Sequence, residues 1–363
     1  MKGRFPSQEA LVVSMANPNN RGFNTIQNSR VAGRRKNETL QMYTMLGVIG
    51  MAVLTIVLLV AMGVVGLVGR DDGKDNRPSG DKVEWASFTV TATDTVRGEL
   101  ILVNSSHAYT FPATNDHLIE IYNVWDKHRK DGFPYVLSGI SKYMDKTTMS
   151  ALDKMLTDFC TATGRDNVQV RDAYRSKEDQ EGKSTPVGHS DHHTGLGVSL
   201  MYTKDGTMPA YDLSLDSAYN WLFENCHKYG FVIRYPDDKA DITGVSDYNY
   251  YFRYVGVAHA TYMKANGLCM EEYIEALKEY DHKKPLTLTG ADGKSYEVYY
   301  VAVDGSATVK YPANYAYTVS GTNEGGVVVT VDRSVALNSD TPSDSSAGSE
   351  ENSTAPDTSV DEH

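Results

Sequence analysis

The sequence predicts an α+β domain behind one membrane-spanning helix, followed by a small β-rich appendage. Three observations predict this. Between residues 98 and 280, short apolar or alternating runs are interleaved with segments of helical spacing. From Thr44 to Gly69 there is no charged residue. Residues 285–331 are rich in Thr, Val and Tyr, broken by the Gly-containing turns GADGK, VDGS and SGTNEGG, the composition of short strands joined by turns.

The first 43 residues are polar, with Asn-rich stretches and no sustained period, and read as a disordered arm. They hold seven Lys and Arg against two acids, a net +5. Next comes the stretch 44–69, in which Leu46–Val68 is almost wholly Leu, Val, Ile, Met, Ala and Gly. Roughly 20 such residues cross the hydrocarbon layer as a helix. A cleavable signal peptide fits poorly, because its apolar region would be about 7–15 residues and close to the N-terminus. Arg30, Arg34, Arg35 and Lys36 precede the span, and Arg70, Lys74, Arg77 and Lys82 follow it. The short cationic arm is expected on the cytoplasmic side, with the main domain outside the cell and the chain a single-pass protein of the cell membrane.

Residues 70–84 form a charged linker punctuated by Gly and Pro. The folded core is expected over 85–282 and the appendage over 283–335. The tail, 336–363, carries seven acids and no Lys or Arg, and such a composition stays solvated. The full chain has 35 Lys+Arg, 47 Asp+Glu and a net charge of -12. Removing the arm and the tail leaves about -10 for the middle, without a basic patch, which argues against nucleic-acid binding.

Within the core, Gly98–Asn104 reads as a strand. Leu118, Ile121, Tyr122 and Trp125 predict an amphipathic helix over 117–130. Thr147 or Thr148 can cap a second helix with Leu152, Met155, Leu156 and Phe159 on its apolar face. Strands follow at 168–171 and 195–202. The helix 217–229 is stopped by Gly230, and 231–235 and 252–257 read as strands. Helices at 258–265 and 270–280 close the core, and about four strands build the appendage. Cys160, Cys226 and Cys269 lie on predicted helices and read as free thiols, with a Cys226–Cys269 bridge as the alternative.

The polar chemistry is concentrated in a few stretches: Ala173-Tyr-Arg-Ser176, Gln180, Gly188-His-Ser-Asp-His-His-Thr-Gly-Leu-Gly-Val-Ser199, Arg234-Tyr-Pro236 and Tyr248-Asn-Tyr-Tyr-Phe-Arg-Tyr-Val-Gly256. In this order and spacing they resemble the VanY-type D-alanyl-D-alanine carboxypeptidases, zinc peptidases of bacterial cell walls, over roughly residues 98–280. The family pattern runs Tyr-Arg-Ser…Gln, Ser-x-His-x-x-Gly-x-Ala-x-Asp, then Arg-Tyr-Pro, and finally Glu-Pro-Trp-His before Arg-Tyr-Val-Gly. The resemblance implies the fold of that core and zinc held by the first His, the Asp and the last His, with the Glu as general base. A catalytic zinc needs about three protein ligands and one open water position.

Carried over position by position, His192 is the first zinc ligand, but the Asp position holds Ser199, the last His position Tyr251 and the general-base position Tyr248. A hydroxyl, or a phenol of pKa about 10, is a poor zinc ligand at neutral pH. The resemblance therefore implies no catalytic residue here, no cofactor unless zinc sits in a rearranged site, and a contact surface made of Arg175, Ser176, Gln180, Tyr248, Tyr250 and Tyr251. His189, Asp191 and Asp247 are the residues near His192 in sequence that a rearranged site would draw on, with Asp247 as the displaced carboxylate, and strand alternation turns His193 away. His259, Asp212 and Arg234 read as packing residues. The leading expectation is a non-catalytic peptidoglycan stem-peptide binder. The alternatives are an active zinc carboxypeptidase with a rearranged site and a structural or regulatory partner of cell-wall machinery.

Overall fold

A computed structural model of the chain describes residues 83–204 and 210–336. The arm, the predicted span at 44–69, the linker up to residue 82 and the tail from 337 lie outside the described residues. Among the described residues, no helix is long and apolar enough to cross a membrane.

The elements in chain order are β1 (Trp85–Thr91), β2 (Leu118–Glu120), β3 (Val136–Leu137), β4 (Tyr143–Asp145), α1 (Lys146–Thr163), β5 (Val168–Asp172), β6 (Gly197–Thr203), β7 (Ala210–Asp212), β8 (Phe231–Ile233) and β9 (Tyr251–Tyr254). Helices α2 (Val257–Asn266) and α3 (Met270–Leu277) follow. Then come β10 (Leu286–Thr289), β11 (Ser295–Ala302), β12 (Ser306–Pro312), β13 (Tyr315–Gly321) and β14 (Gly326–Ala336). The central sheet runs β3-β5-β6-β9-β8, with β7 also paired to β6. All its pairs are antiparallel except β3 with β5. With partners on both edges, β6 is buried along nearly its whole length, which is why it reads as a continuous apolar run.

Helix α1 covers this sheet with Met149, Leu152, Met155, Leu156 and Phe159, all fully buried. Their spacing of three and four is one helix face, and each such burial stabilises by roughly 1.5–3 kcal/mol. The cap is Asp145 rather than Thr147 or Thr148. Its carboxylate accepts from the backbone N–H groups of both threonines, at 2.9 and 3.1 Å. A charged acceptor at a helix N-terminus also meets the helix dipole favourably. At the far end, Gly164 turns the chain out at φ 70°.

Two expectations are corrected. The stretch 117–130 is not one helix: Leu118–Glu120 pairs with β4, and only Ile121–Trp125 is α-helical before a 3-10 turn to Lys130. The backbone N–H of Ile121 is held by Lys142 O at 2.8 Å, so cross-strand pairing overrides the helical spacing. Nor is Gly98–Asn104 a strand. Leu100–Val103 are buried, but side chains take up much of their backbone polarity.

Those side chains are two fully buried arginines. Arg253 on β9 donates from Nη2 to Glu99 O (2.9 Å) and Ile101 O (3.3 Å), and from Nη1 to Asp191 Oδ1 at 2.5 Å. Arg234, just past β8, forms a two-pronged pair with Glu271 at 3.0 and 2.7 Å and reaches Val103 O at 3.4 Å. Two guanidinium groups thus meet two carboxylates inside the fold and fasten residues 99–103 to the sheet.

The β appendage is continuous with this core. Strands β10-β11-β14-β13 form one sheet, and β1 pairs with β12, so a strand from before residue 98 completes the structure built after 285. Val327, Val329 and Val331 on one face of β14 pack with Val90, Tyr299 and Val309. Val328 on the other face joins Met263, Tyr273, Ile274 and Val298. His259 of α2 bridges the same joint, with Nδ1 against Tyr273 OH at 2.7 Å and Nε2 against Thr330 Oγ1 at 2.9 Å. Cys160, Cys226 and Cys269 are free thiols. Burial pushes Cys226 up to about 12, so it is inert as a nucleophile.

Removing the Arg253 guanidinium (Arg253→Ala) strands Asp191 without its closest cation and should cost about 3–5 kcal/mol in urea unfolding. Burial holds His259 down to about 4, against an ordinary 6.5. Above 6.5 the neutral ring contributes in full. As pH falls from 6.5 to 4 the unfolded chain takes up the proton and the native chain does not, so stability should fall by up to about 3 kcal/mol and then level off. His259→Asn should flatten that part of the stability–pH curve.

Candidate functional site

A cavity of about 900 Å³ opens where the β5 end, the turn before β6 and the loop before β9 converge. Its walls include Arg175, Gln180, His189, His192, Tyr235 and Tyr248. His192 lies on a 3-10 turn, Asp191–Thr194, that ends at Gly195 with φ 70°. This turn, rather than strand alternation, orients the three neighbouring histidines.

The hydrogen bonds assign the protons. His192 Nδ1 faces the Ala173 carbonyl at 2.6 Å, so it carries the hydrogen and Nε2 is a bare acceptor. Tyr248 OH lies 2.8 Å from that Nε2 and donates to it. The same phenol oxygen is 2.8 Å from Ser199 Oγ and accepts its hydrogen. The chain Ser199→Tyr248→His192→Ala173 O is therefore closed at both ends. Burial, followed by the nearby Arg175 charge, lowers His192 to about 4, so it is neutral at pH 7. Burial likewise pushes Tyr248 up to about 12, against the pull of the Ser199 hydrogen bond, and the phenol keeps its proton.

Tyr251 points elsewhere. Its phenol is fully buried and donates to Asp191 Oδ2 at 3.0 Å. Burial and then the Asp191 charge raise it well above its ordinary value. The ring fits because residue 197 is glycine: a Cβ there would lie 2.1 Å from the Tyr251 oxygen. In the family pattern this position is Ala.

These residues do not fit a catalytic zinc. The ion needs nitrogen, sulfur or carboxylate ligands at about 2.0–2.3 Å. Here the Nε2 lone pair of His192 is engaged by a phenol, and the other two ligand positions present a serine hydroxyl and a protonated phenol turned to Asp191. Among the described residues no group of three His, Cys, Asp or Glu side chains could hold a metal. Asp247 is exposed and bonds Ser246 Oγ at 3.1 Å. His189 uses Nδ1 on Asn104 O at 2.8 Å, and His193 is fixed between Arg175 O (2.7 Å) and Gly188 N (3.1 Å).

The other sequence-predicted contacts divide. Arg175 and Gln180 meet in the cavity wall, 3.3 Å apart from Nη1 to Oε1. Ser176 instead caps the short helix Lys177–Gln180 in a reciprocal box with Asp179. Tyr250 is half-buried and stands edge-on to Tyr248, at 4.8 Å between centroids, outside the cavity wall. Tyr248, Tyr235 and Tyr251 form a cluster of near-parallel rings in the cavity wall, with centroids 5.6 Å (Tyr235–Tyr248), 5.4 Å (Tyr248–Tyr251) and 5.8 Å (Tyr235–Tyr251) apart. Sequence reasoning missed Asp172, and it took Asp191 as a carboxylate for a rearranged metal site rather than as the partner of Arg253 and Tyr251. Asp191 stands inside the quoted histidine stretch, but nothing in its spacing marks it as a partner of Arg253.

A sequence model of the D-alanyl-D-alanine carboxypeptidase (VanY) family matches residues 141–257. The chain is 29% identical over 253 residues to a D-alanyl-D-alanine carboxypeptidase of Enterococcus faecium, covering 67% of this chain and 78% of that protein. It is 33% identical over 159 residues to one from Enterococcus faecalis, covering 44% of this chain and 54% of that protein. The D,D-dipeptidase VanXYg, solved with a D-Ala-D-Ala phosphinate analogue, superposes with a TM-score of 0.58 at 26% identity, over 69% of this chain and all of that one.

The pairing of a small residue 197 with a large residue 251 is testable. Gly197→Ala should destabilise by roughly 1–3 kcal/mol, because the buried phenol has nowhere to go. Gly197→Ala combined with Tyr251→His should unfold later in denaturant than the sum of the single changes, by about 1 kcal/mol or more of coupling.

Proposed function

The chain belongs to the VanY-type D-alanyl-D-alanine carboxypeptidase family, and from that premise we propose that it binds peptidoglycan stem peptides without hydrolysing them. One observation carries this reading. The Tyr248 phenol stands between His192 Nε2 and Ser199 Oγ, 2.8 Å from each, where the family pattern would join those two positions through zinc. The pattern's general base is the residue that supplies this phenol, so the change that removes the base also fills the ligand gap. A neutral His192 and a protonated Tyr248 activate no water.

A cavity adjoins this phenol. It has the volume of a small-ligand site, Arg175 and Gln180 in its wall, and a rim of hydroxyls from Ser184, Thr185, Thr243 and Ser246. These suit the amide groups and terminal carboxylate of a stem peptide. We read the domain as extracytoplasmic and held to the membrane by the span 44–69; the support is the charge-free apolar stretch and the cations before it.

Metal analysis of the purified chain should find well below one zinc per chain. No D-alanine should be released from a pentapeptide stem, and binding to purified peptidoglycan should persist in chelator. One zinc per chain, with D-alanine release abolished by His192→Ala, would overturn the reading in favour of an active enzyme.

A further inference from the structure

Arg175 reaches the cavity with a carboxylate already on it. Its Nε donates to Asp172 Oδ2 at 2.8 Å, and its Nη2 donates to the same oxygen. Nη1 reaches Gln180 Oε1 at 3.3 Å, and Gln180 is itself fixed by its amide N–H on Thr185 O at 2.7 Å. A guanidinium can grip a carboxylate along its Nε–Nη2 edge or its Nη1–Nη2 edge; Asp172 holds the first, and of the second Nη1 carries Gln180 while Nη2 is shared with Asp172. The pair is not sealed: the Asp172 side chain is 31% exposed and that of Arg175 19%, against 1% and 0% for Asp191 and Arg253. Solvent therefore reaches the pair, and Arg175 is its member in the cavity wall.

The backbone brings Asp172 there. The register of β5 against β6 slips between Val170 and Asp172, and Asp172 comes to lie opposite Ser199. Its Oδ1 accepts from Ala173 N at 3.1 Å, which sets the carboxyl plane. An aspartate at 199, as the family pattern has, would put two carboxylates across from each other on adjacent strands, which is repulsive. The serine removes that conflict and lets Asp172 stay.

We infer that Asp172 is a built-in competitor for the ligand's carboxylate: a peptide with a free C-terminal carboxylate engages Arg175 only by displacing Asp172 or by lying against its charge, whereas a peptide with a neutral end bears no such penalty. Asp172 then sets specificity by acting through Arg175. The inference rests on reading the cavity as the stem-peptide cleft, and it predicts that this cleft has little of the carboxylate preference that a free arginine would confer.

The test uses the full chain and two probes, N-acetyl-Lys-D-Ala-D-Ala and its C-terminal amide, measured by calorimetry. The wild-type protein should bind the two within about threefold of each other. Asp172→Asn should tighten the carboxylate form tenfold or more and leave the amide unchanged, and adding Arg175→Gln should abolish the gain. Tightening of both probes alike, or no change, would overturn the inference. So would a tenfold carboxylate preference in the wild-type chain, which decides the matter even if Asp172→Asn fails to fold; Asp172→Ser serves as a second variant. If neither probe binds any form, the stem-peptide reading falls, and acetate tests the pair alone. The Arg175 Nε–H resonance should then respond to acetate in Asp172→Asn and not in wild type. An equal response in both, or none in either, would overturn the inference.

Discussion

The Asp191 carboxylate is the constraint on which the rest of the structure depends. It is buried and takes hydrogen bonds from Arg253 through one oxygen and Tyr251 through the other. Through Arg253 it ties the turn carrying His192 to β9 and to the carbonyls of Glu99 and Ile101. Through Tyr251 it fixes the aromatic stack that covers the cavity floor. An ion buried this deeply is tolerable only if its lone pairs are met and its charge is balanced. Arg234 and Glu271 supply the second half of the balance, with Glu271 also bonded by Asn104. The segment 98–104 is therefore held by ionic side chains rather than by a strand ladder, and it ends at the cavity rim, where Asn104 and Ser105 line the wall.

The middle of the site follows the rule that buried polar atoms are not left unpaired. With Ser199 and Tyr251 at the positions where the family pattern has ligands, the buried His192 Nε2 needs a donor. The Tyr248 hydroxyl answers it and Ser199 at once, since a phenol donates one hydrogen bond and accepts another. Tyr251 needed space as well as a partner. Gly197 supplies the space and Asp191 the partner, so changes at positions 54 residues apart in sequence are parts of one packing event. Arg253, Arg234 and Glu271 lie outside the cavity wall, and of the four charged groups only Asp191 lines it.

The binding side shows the same economy of charge. Arg175 carries Asp172, and Arg253 carries Asp191, yet the first pair is partly exposed and the second sealed. Exposure decides their different roles: a sealed pair holds the fold, and an accessible pair competes with whatever enters. Tyr235, Tyr248 and Tyr251 stand together as one cluster in the cavity wall, each ring 5.4–5.8 Å from the other two.

From the sequence alone, the family and the order of most core elements were legible. Each depends on residue identity and local spacing, which a linear chain displays. Tertiary structure decided the rest. It made 118–120 a strand, because Lys142 and β4 offered pairing that helical spacing could not reveal. It joined β1 to β12 and so wrapped the appendage around the start of the domain. It also showed where the phenols go: Tyr248 onto His192, and Tyr251 away from it onto Asp191. Those outcomes depend on long-range partners and on the space left by a missing Cβ at residue 197, and neither the distance between two residues in space nor an empty volume is written in their order along the chain.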